Sequence, residues 1–259
     1  RNFKKRKKEK KYPMVLAPLK KKILITGKNS RFCKYLKNDL GKYNTIFTSK
    51  EMFDVCNYNK MKNFIKNKKI KYLIHVAGLS RPMNIHEKKI DLSINLNIIG
   101  TANIVKLCNE FNIKLIYFST NYIYPGTKGN YRETDPILPT NNYAWSKLGG
   151  ECSVKLYKNS LILRVCMTEE PFIHKSAFSN VKTNFIYHKD VVPKLFKLLN
   201  KKGLINLGGK TQTVYSFAKK GNPKVKKKHL NKEKNIGIPL NSSMSLKKLN
   251  SILKKNNIR

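Results

Sequence analysis

Lys114-Leu115-Ile116-Tyr117-Phe118-Ser119 is an apolar run of strand length that ends on a hydroxyl, and Thr120 and Asn121 follow it directly. About two dozen residues later comes Tyr143-Ala144-Trp145-Ser146-Lys147. The first stretch reads as a buried strand and the second opens a helix running to Tyr157. Residues i and i+4 of a helix share a face, so Tyr143 and Lys147 stand one turn apart on the same side. An ammonium beside a phenol favours the phenolate, and the phenol pKa is expected to fall. The result is a group able to exchange a proton with a carbonyl or an alcohol near neutral pH. The hydroxyls of Ser119 and Thr120 are candidates to hold the same oxygen.

The pattern of strand then helix repeats on both sides of this stretch. Strands are predicted at Lys22–Thr26, Thr45–Thr48, Tyr72–Ala77 and Ser160–Val165, with helices at Phe32–Leu40, Tyr58–Lys66 and Ile90–Phe111. Alternation of this kind predicts an α/β fold, a Rossmann-like doubly wound parallel sheet. After Val165 the alternation loosens into a helix at Val191–Leu199, a strand at Gly203–Leu207 and helices at Val214–Lys219 and Leu246–Leu253. The expected organisation is a basic extension over 1–20, a Rossmann-like dinucleotide-binding domain over 21–165, and a small C-terminal lobe of substrate-binding type over 166–259.

The chain of 259 residues is long enough to bury a full core, and 40% of it is hydrophobic. It starts at Arg1 rather than methionine, which reads as a mature or trimmed form. No apolar run approaches the roughly 20 residues of a membrane span. The five cysteines lack Cys-x-x-Cys spacing and their number is odd, so neither a metal site nor a disulfide framework is expected. Each is expected to be a small buried apolar residue in a reducing compartment. The histidines form no metal spacing, and His75, inside a buried strand, is expected to be a satisfied core residue.

Charge is the outlier. Lysine and arginine total 55 against 14 acids, a net charge of +41. A lysine-rich, AT-biased proteome would raise lysine without removing the acids. A charge this large is most easily tolerated beside a polyanion, and RNA is the usual one. Two runs are candidate phosphate contacts: Lys4, Lys5, Arg6, Lys7, Lys8, Lys10 and Lys11 near the start, and Lys224, Lys226, Lys227 and Lys228 later.

Several short motifs, taken in order, carry a family resemblance. They are Ile25-Thr26-Gly27, His75-Val76-Ala77-Gly78, Asn97-Ile98-Ile99-Gly100-Thr101, the stretch from Leu115 to Gly126, Tyr131 to Pro136, Tyr143 to Glu151, and Pro239 to Met244. From Ile23 to about Leu253 the chain resembles the extended short-chain dehydrogenase/reductases, and most of all the dTDP-4-dehydrorhamnose reductase family of sugar-nucleotide reductases. The resemblance implies that Tyr143 donates a proton to the sugar C4 oxygen. It implies that Lys147 lowers the tyrosine pKa and holds the nicotinamide ribose, and that Thr120, with Ser119 beside it, holds the substrate oxygen.

That family has Gly-x-x-Gly-x-x-Gly after the first strand, where the glycines make the turn, admit the pyrophosphate and let the helix pack closely. Here Gly27-Lys28-Asn29-Ser30-Arg31-Phe32-Cys33 keeps only the first. Ser30 is small, Cys33 adds a side chain at the packing position, and Lys28 and Arg31 add charge. The implied cofactor contacts are Gly27, Asn29, Ser30, Arg31, Asp54, Val55, Ala77, Gly78, Asn97, Tyr143 and Lys147. The second strand ends in Thr48-Ser49-Lys50 without an acid, so NADP is expected ahead of NAD. Between Arg164 and Asp190 the chain is shorter than the family pattern. Gly237-Ile238 also stands where the family has an arginine before Pro239.

Two functions follow. In the first, a reductase-like domain has been recruited as a structural, RNA-binding component of a large ribonucleoprotein such as a mitochondrial ribosome, in the mitochondrial matrix, contacting rRNA and neighbouring proteins. The alternative is an active NAD(P)H-dependent enzyme reducing a 4-keto-6-deoxy sugar nucleotide, with a cytoplasmic location.

Overall fold

The computed structural model describes residues 22–40, 44–231, 233, 235 and 237–255. The expected extension over 1–20, with Lys4, Lys5, Arg6, Lys7, Lys8, Lys10 and Lys11, lies outside the described residues.

Six strands form the main sheet: β1 (Lys22–Thr26), β2 (Thr45–Thr48), β3 (Ile70–His75), β4 (Lys114–Thr120), β5 (Ser160–Val165) and β6 (Gly203–Leu207). They run parallel in the order β6-β5-β4-β3-β1-β2. Successive strand side chains point to opposite faces, and the two cores follow this alternation. Ile23, Ile25, Ile74, Ile116 and Leu163 pack on one face with Phe32, Cys33 and Leu36 of α1 (Arg31–Leu40) and Val191 and Leu195 of α5 (His188–Leu198). Leu24, Leu73, Leu115 and Ile162 pack on the other. There they meet Met61 of α2 (Tyr58–Ile65), Ile104 of α3 (Gly100–Glu110) and Val154 of α4 (Asn142–Lys155). Burial on both faces explains why β4 and β5 read as unbroken apolar runs.

The chain turns one way from β1 to β2 and the other way from β1 through β3 to β4. This switch point opens a crevice at the strand ends, between Gly27 after β1 and Val76-Ala77-Gly78 after β3.

The sheet continues beyond residue 165. β6 pairs with β5, and α5 together with α7 (Lys247–Lys255) packs on the first face. A smaller core of Phe172, Ala177, Val181, Val214, Phe217, Ala218, Val225 and Leu230 forms beside it, around α6 (Val214–Gly221). Short strand pairs edge this core, including Ser176–Phe178 with Lys226–Lys228.

The helix expected over Ile90–Phe111 is three segments: an α turn at Ile90–Ser93, a π-helical stretch at Ile94–Ile99, and α3. The π turn brings Asn97 inward, where it is 1% exposed. Cys33, Cys108 and Cys166 are buried as expected, but Cys56 and Cys152 are exposed, on a loop and on the outer side of α4. Among the described residues no His, Cys, Asp or Glu group is arranged to hold a metal ion, and no helix is long and apolar enough to cross a membrane.

Candidate active site

The loop after β1 closes without the second and third glycines. Gly27 has φ +76°, and a Cβ there would lie 2.9 Å from the Ala77 nitrogen, so both its conformation and its neighbour demand glycine. Ser30 is absent from the residues with positive φ, so its backbone does not require glycine. Its hydroxyl accepts a hydrogen bond from Cys33 N at 3.2 Å and thereby caps the first turn of α1. Cys33 is fully buried and packs into the core beneath the helix. The side chain expected to obstruct close packing is accommodated there.

A cleft of about 310 Å³ lies over this loop. It is lined by Gly27, Lys28, Asn29 and Ser30, by Ser49, Lys50, Glu51, Phe53, Asp54 and Val55, and by Val76, Ala77, Gly78 and Leu96. Seven expected cofactor contacts therefore share one cavity: Gly27, Asn29, Ser30, Asp54, Val55, Ala77 and Gly78. Asp54 Oδ1 caps the turn below by accepting from Cys56 N at 2.9 Å. Glu51 was missed by the sequence reading, which stopped at Lys50. Its carboxylate is held below the usual range, first by a hydrogen bond from Ser49.

Arg31, Asn97, Tyr143 and Lys147 lie outside that lining. Arg31 forms a 3.0 Å ion pair with Glu169, which also pairs with Arg81 at 2.9 Å. This bridge ties the start of α1 to the segments that follow β3 and β5. Glu169 and Arg81 were not anticipated, because they are separated by 88 residues in sequence. A chain with so few acids offered one signal: each acid it retains is a candidate partner for a cation.

Asn97 connects the cleft to the tyrosine helix. Its Oδ1 accepts from Leu79 N at 2.8 Å, and its Nδ2 donates to Leu79 O and to Ser146 Oγ, each at 2.9 Å. Ser146 lies between Tyr143 and Lys147 on α4. Asn141 caps that helix by accepting from Ala144 N at 2.9 Å. Gly150 makes the close contact possible, since a Cβ there would meet the Asn97 carbonyl oxygen at 2.5 Å.

Thr120 and Ser119 alternate across β4; the Thr120 hydroxyl accepts from Tyr122 N at 3.2 Å and is the one near enough to the Tyr143 phenol to favour its ionised form. Ser119 is 3% exposed, and its hydroxyl has no hydrogen-bond partner among the described residues. The rings of His86 and Tyr122 stand 5.1 and 6.2 Å from that of Tyr143. The expected fall in the Tyr143 pKa is not found. Burial raises it, opposed by the Thr120 hydroxyl and the positive charge of Arg81. Burial also lowers Lys147 to about 7, opposed by Glu151. The physical reason is common to both: a desolvated site disfavours the phenolate and the ammonium alike. The Lys147 ammonium rests 4.2 Å from the centre of the Tyr117 ring, and the Tyr117 hydroxyl donates to Lys147 O at 3.0 Å.

One turn beyond Lys147, Glu151 forms a buried 2.6 Å ion pair with Arg164 of β5. Arg164 also donates to the Tyr124 hydroxyl at 2.8 Å. His75 is the satisfied core residue expected, bonded to Thr26 Oγ1 at 2.9 Å and Thr101 Oγ1 at 3.2 Å. Lys226, Lys227 and Lys228 form an exposed strand edging the smaller core, and Lys224 is exposed just before it.

A family model described as the RmlD substrate binding domain matches residues 21–169. Among curated proteins, human dTDP-D-glucose 4,6-dehydratase is 29% identical over 176 residues, covering 64% of this chain and 46% of that protein. Methionine adenosyltransferase 2 subunit beta of Xenopus laevis is 34% identical over 106 residues, covering 40% of this chain and 31% of that one. These matches therefore span less than half of either relative's length. Among solved structures, a Bacillus anthracis dTDP-4-dehydrorhamnose reductase in complex with NADP superposes with a TM-score of 0.80 at 22% identity. That superposition covers 91% of this chain and 93% of the other.

Proposed function

The chain belongs to the family of the RmlD substrate binding domain, and from that premise we propose that it is a dinucleotide-dependent oxidoreductase of the extended short-chain type, reducing a keto sugar carried on a nucleoside diphosphate. The observation that carries the reading is the placement of Tyr143 beside Thr120 on a helix that Asn97 ties to the Gly27 cleft. The cleft suits a dinucleotide. Its turn has no room for a Cβ at Gly27, it faces the N-terminal end of α1, where anions are favoured, and Lys28 and Lys50 line it. The two lysines favour NADPH, whose extra phosphate is an anion, over NADH.

When bound, the dinucleotide supplies the hydride. The chain's own residues handle the proton. Thr120 holds the substrate oxygen beside Tyr143, and Tyr143, protonated at neutral pH, passes its proton to that oxygen as negative charge develops there. Lys147 titrates near neutrality and stands one turn away, placed to supply positive charge as the phenol is deprotonated. Reduction suits the site better than loss of water, which needs a free base at a second carbon. The carboxylates close to this region are engaged, Glu87 by Asn142, Glu151 by Arg164, and Glu169 by Arg31 and Arg81.

The test is NADPH consumption at 340 nm on adding a dTDP-linked 4-keto-6-deoxy sugar. Turnover that falls at least about a hundredfold in Tyr143→Phe supports the reading. Turnover unchanged in that variant overturns the role of Tyr143.

A second reading rests on the charge of +41 and the exposed Lys226–Lys228 strand: a recruited RNA-binding component of a ribonucleoprotein, such as a mitochondrial ribosome. The comparisons give it no support. It predicts RNA affinity that falls steeply with salt. A flat salt dependence removes it.

A further inference from the structure

At the opposite end of the sheet from Gly27 and Thr120, a second cavity of about 370 Å³ opens where β3, β4 and β5 begin. It is lined by Lys71, Lys114 and Lys202, by Asn112, Asn159 and Asn200, and by Tyr72. No carboxylate is in that lining. Lys114 is the first residue of β4 and is 7% exposed, yet its ammonium has no hydrogen-bond partner among the described residues. Burial, and then the charge of Lys202, lower its pKa to about 8. An ammonium without a partner is costly to bury. The Tyr72 hydroxyl donates to Asn200 Oδ1 at 2.6 Å, which commits that oxygen as an acceptor and leaves the Asn200 NH₂ to donate elsewhere.

We propose that this cavity is a binding site for a small phosphorylated ligand. Three ammonium groups and three carboxamides present many donors around one concave space. A phosphate group, with several acceptor oxygens and up to two negative charges, matches that set better than a single carboxylate does. The volume exceeds that of one phosphate, so the occupant carries a second phosphate or a small organic body. The burial of Lys114, 7% exposed, favours a small ligand that can reach inward over a polynucleotide laid across the surface. This site rests on none of the residues assigned to the oxidoreductase.

The probe is inorganic pyrophosphate, compared with chloride at matched ionic strength and read as the thermal midpoint of the full chain. Three variants separate a built site from general attraction to a basic protein. Lys227→Met removes one exposed charge from the distant lysine strand and is expected to keep the wild-type pyrophosphate gain. Lys114→Met removes the unpartnered ammonium. It is expected to melt higher than wild type without pyrophosphate and to lose most of the gain. Lys202→Met, an exposed change, is expected to weaken pyrophosphate binding by about tenfold or more. The proposal is overturned if Lys114→Met melts lower without pyrophosphate, or if Lys114→Met or Lys202→Met keeps the wild-type gain. It is also overturned if pyrophosphate has no effect while an oligoribonucleotide binds in a Lys114-dependent way.

Discussion

Replacing Gly150 by alanine is expected to prise α4 off the π-helical segment beneath it. The new Cβ would lie 2.5 Å from the Asn97 carbonyl oxygen, 2.6 Å from the Tyr117 hydroxyl and 3.1 Å from Thr101 Oγ1. Carbon contacts settle near about 3.5 Å, so the helix must retreat by roughly 1 Å. The Asn97 oxygen is backbone and the Tyr117 hydroxyl is already bonded to Lys147 O, so neither moves aside cheaply. Overpacking of this kind costs about 1–3 kcal/mol, here toward the upper end. Alanine returns about 1 kcal/mol through its better helix propensity. The net loss of about 1–2 kcal/mol corresponds to a fall in Tm of about 3–6 °C for a chain of this size. Gly149 is the internal control. The three atoms nearest a Cβ there all belong to the Ile98 side chain, the closest at 2.9 Å, and Ile98 is partly exposed, so it can adjust. Gly149→Ala should therefore hold or raise Tm. Calorimetry of both variants decides. A Gly150→Ala chain that melts at or above wild type, or equal shifts in the two variants, refutes the proposed packing of the tyrosine helix.

Glu151→Ala leaves the Arg164 guanidinium buried without its partner and should cost about 3–5 kcal/mol, measured as a lower urea midpoint. The pH dependence of stability follows from Lys147, whose pKa is near 7 folded against 10.5 when exposed. Between those values the unfolded chain binds the proton that the folded chain has shed, so stability rises with pH, by up to about 4 kcal/mol for this one group. Lys147→Met should flatten the rise in Tm from pH 7 to 9.5, leaving the later part contributed by Lys114; an unchanged slope would show that Lys147 is not the group responsible. Lys50→Glu should lower the preference for NADPH over NADH by about tenfold or more, read from the ratio of KM values.

The alternation of β1, β3, β4 and β5 with their helices was legible because a strand buried on both faces must be a largely continuous apolar run. The sixth strand was legible as a strand but not as part of the main sheet. Between it and β5 the chain passes through Phe172, Ala177 and Val181 of the smaller core and through α5, and periodicity says nothing about partners. The π segment was hidden because Ile94, Ile98 and Ala102 satisfy ordinary helical spacing, whereas the inward turn of Asn97 depends on Leu79 and Ser146. Tyr143, Lys147 and Thr120 could be placed from their spacing along the chain. The direction of the tyrosine pKa could not, since it depends on burial. Glycine spacing made the phosphate loop look damaged. In the fold Ser30 has no positive φ and caps α1, and Cys33 fills core space, so the turn closes without the second and third glycines.

Whether that loop still takes a dinucleotide is the premise on which every step at Tyr143 rests. Titration calorimetry of the full chain with NADPH tests it most directly. The account predicts saturable binding at one site per chain; the absence of any saturable heat would contradict it.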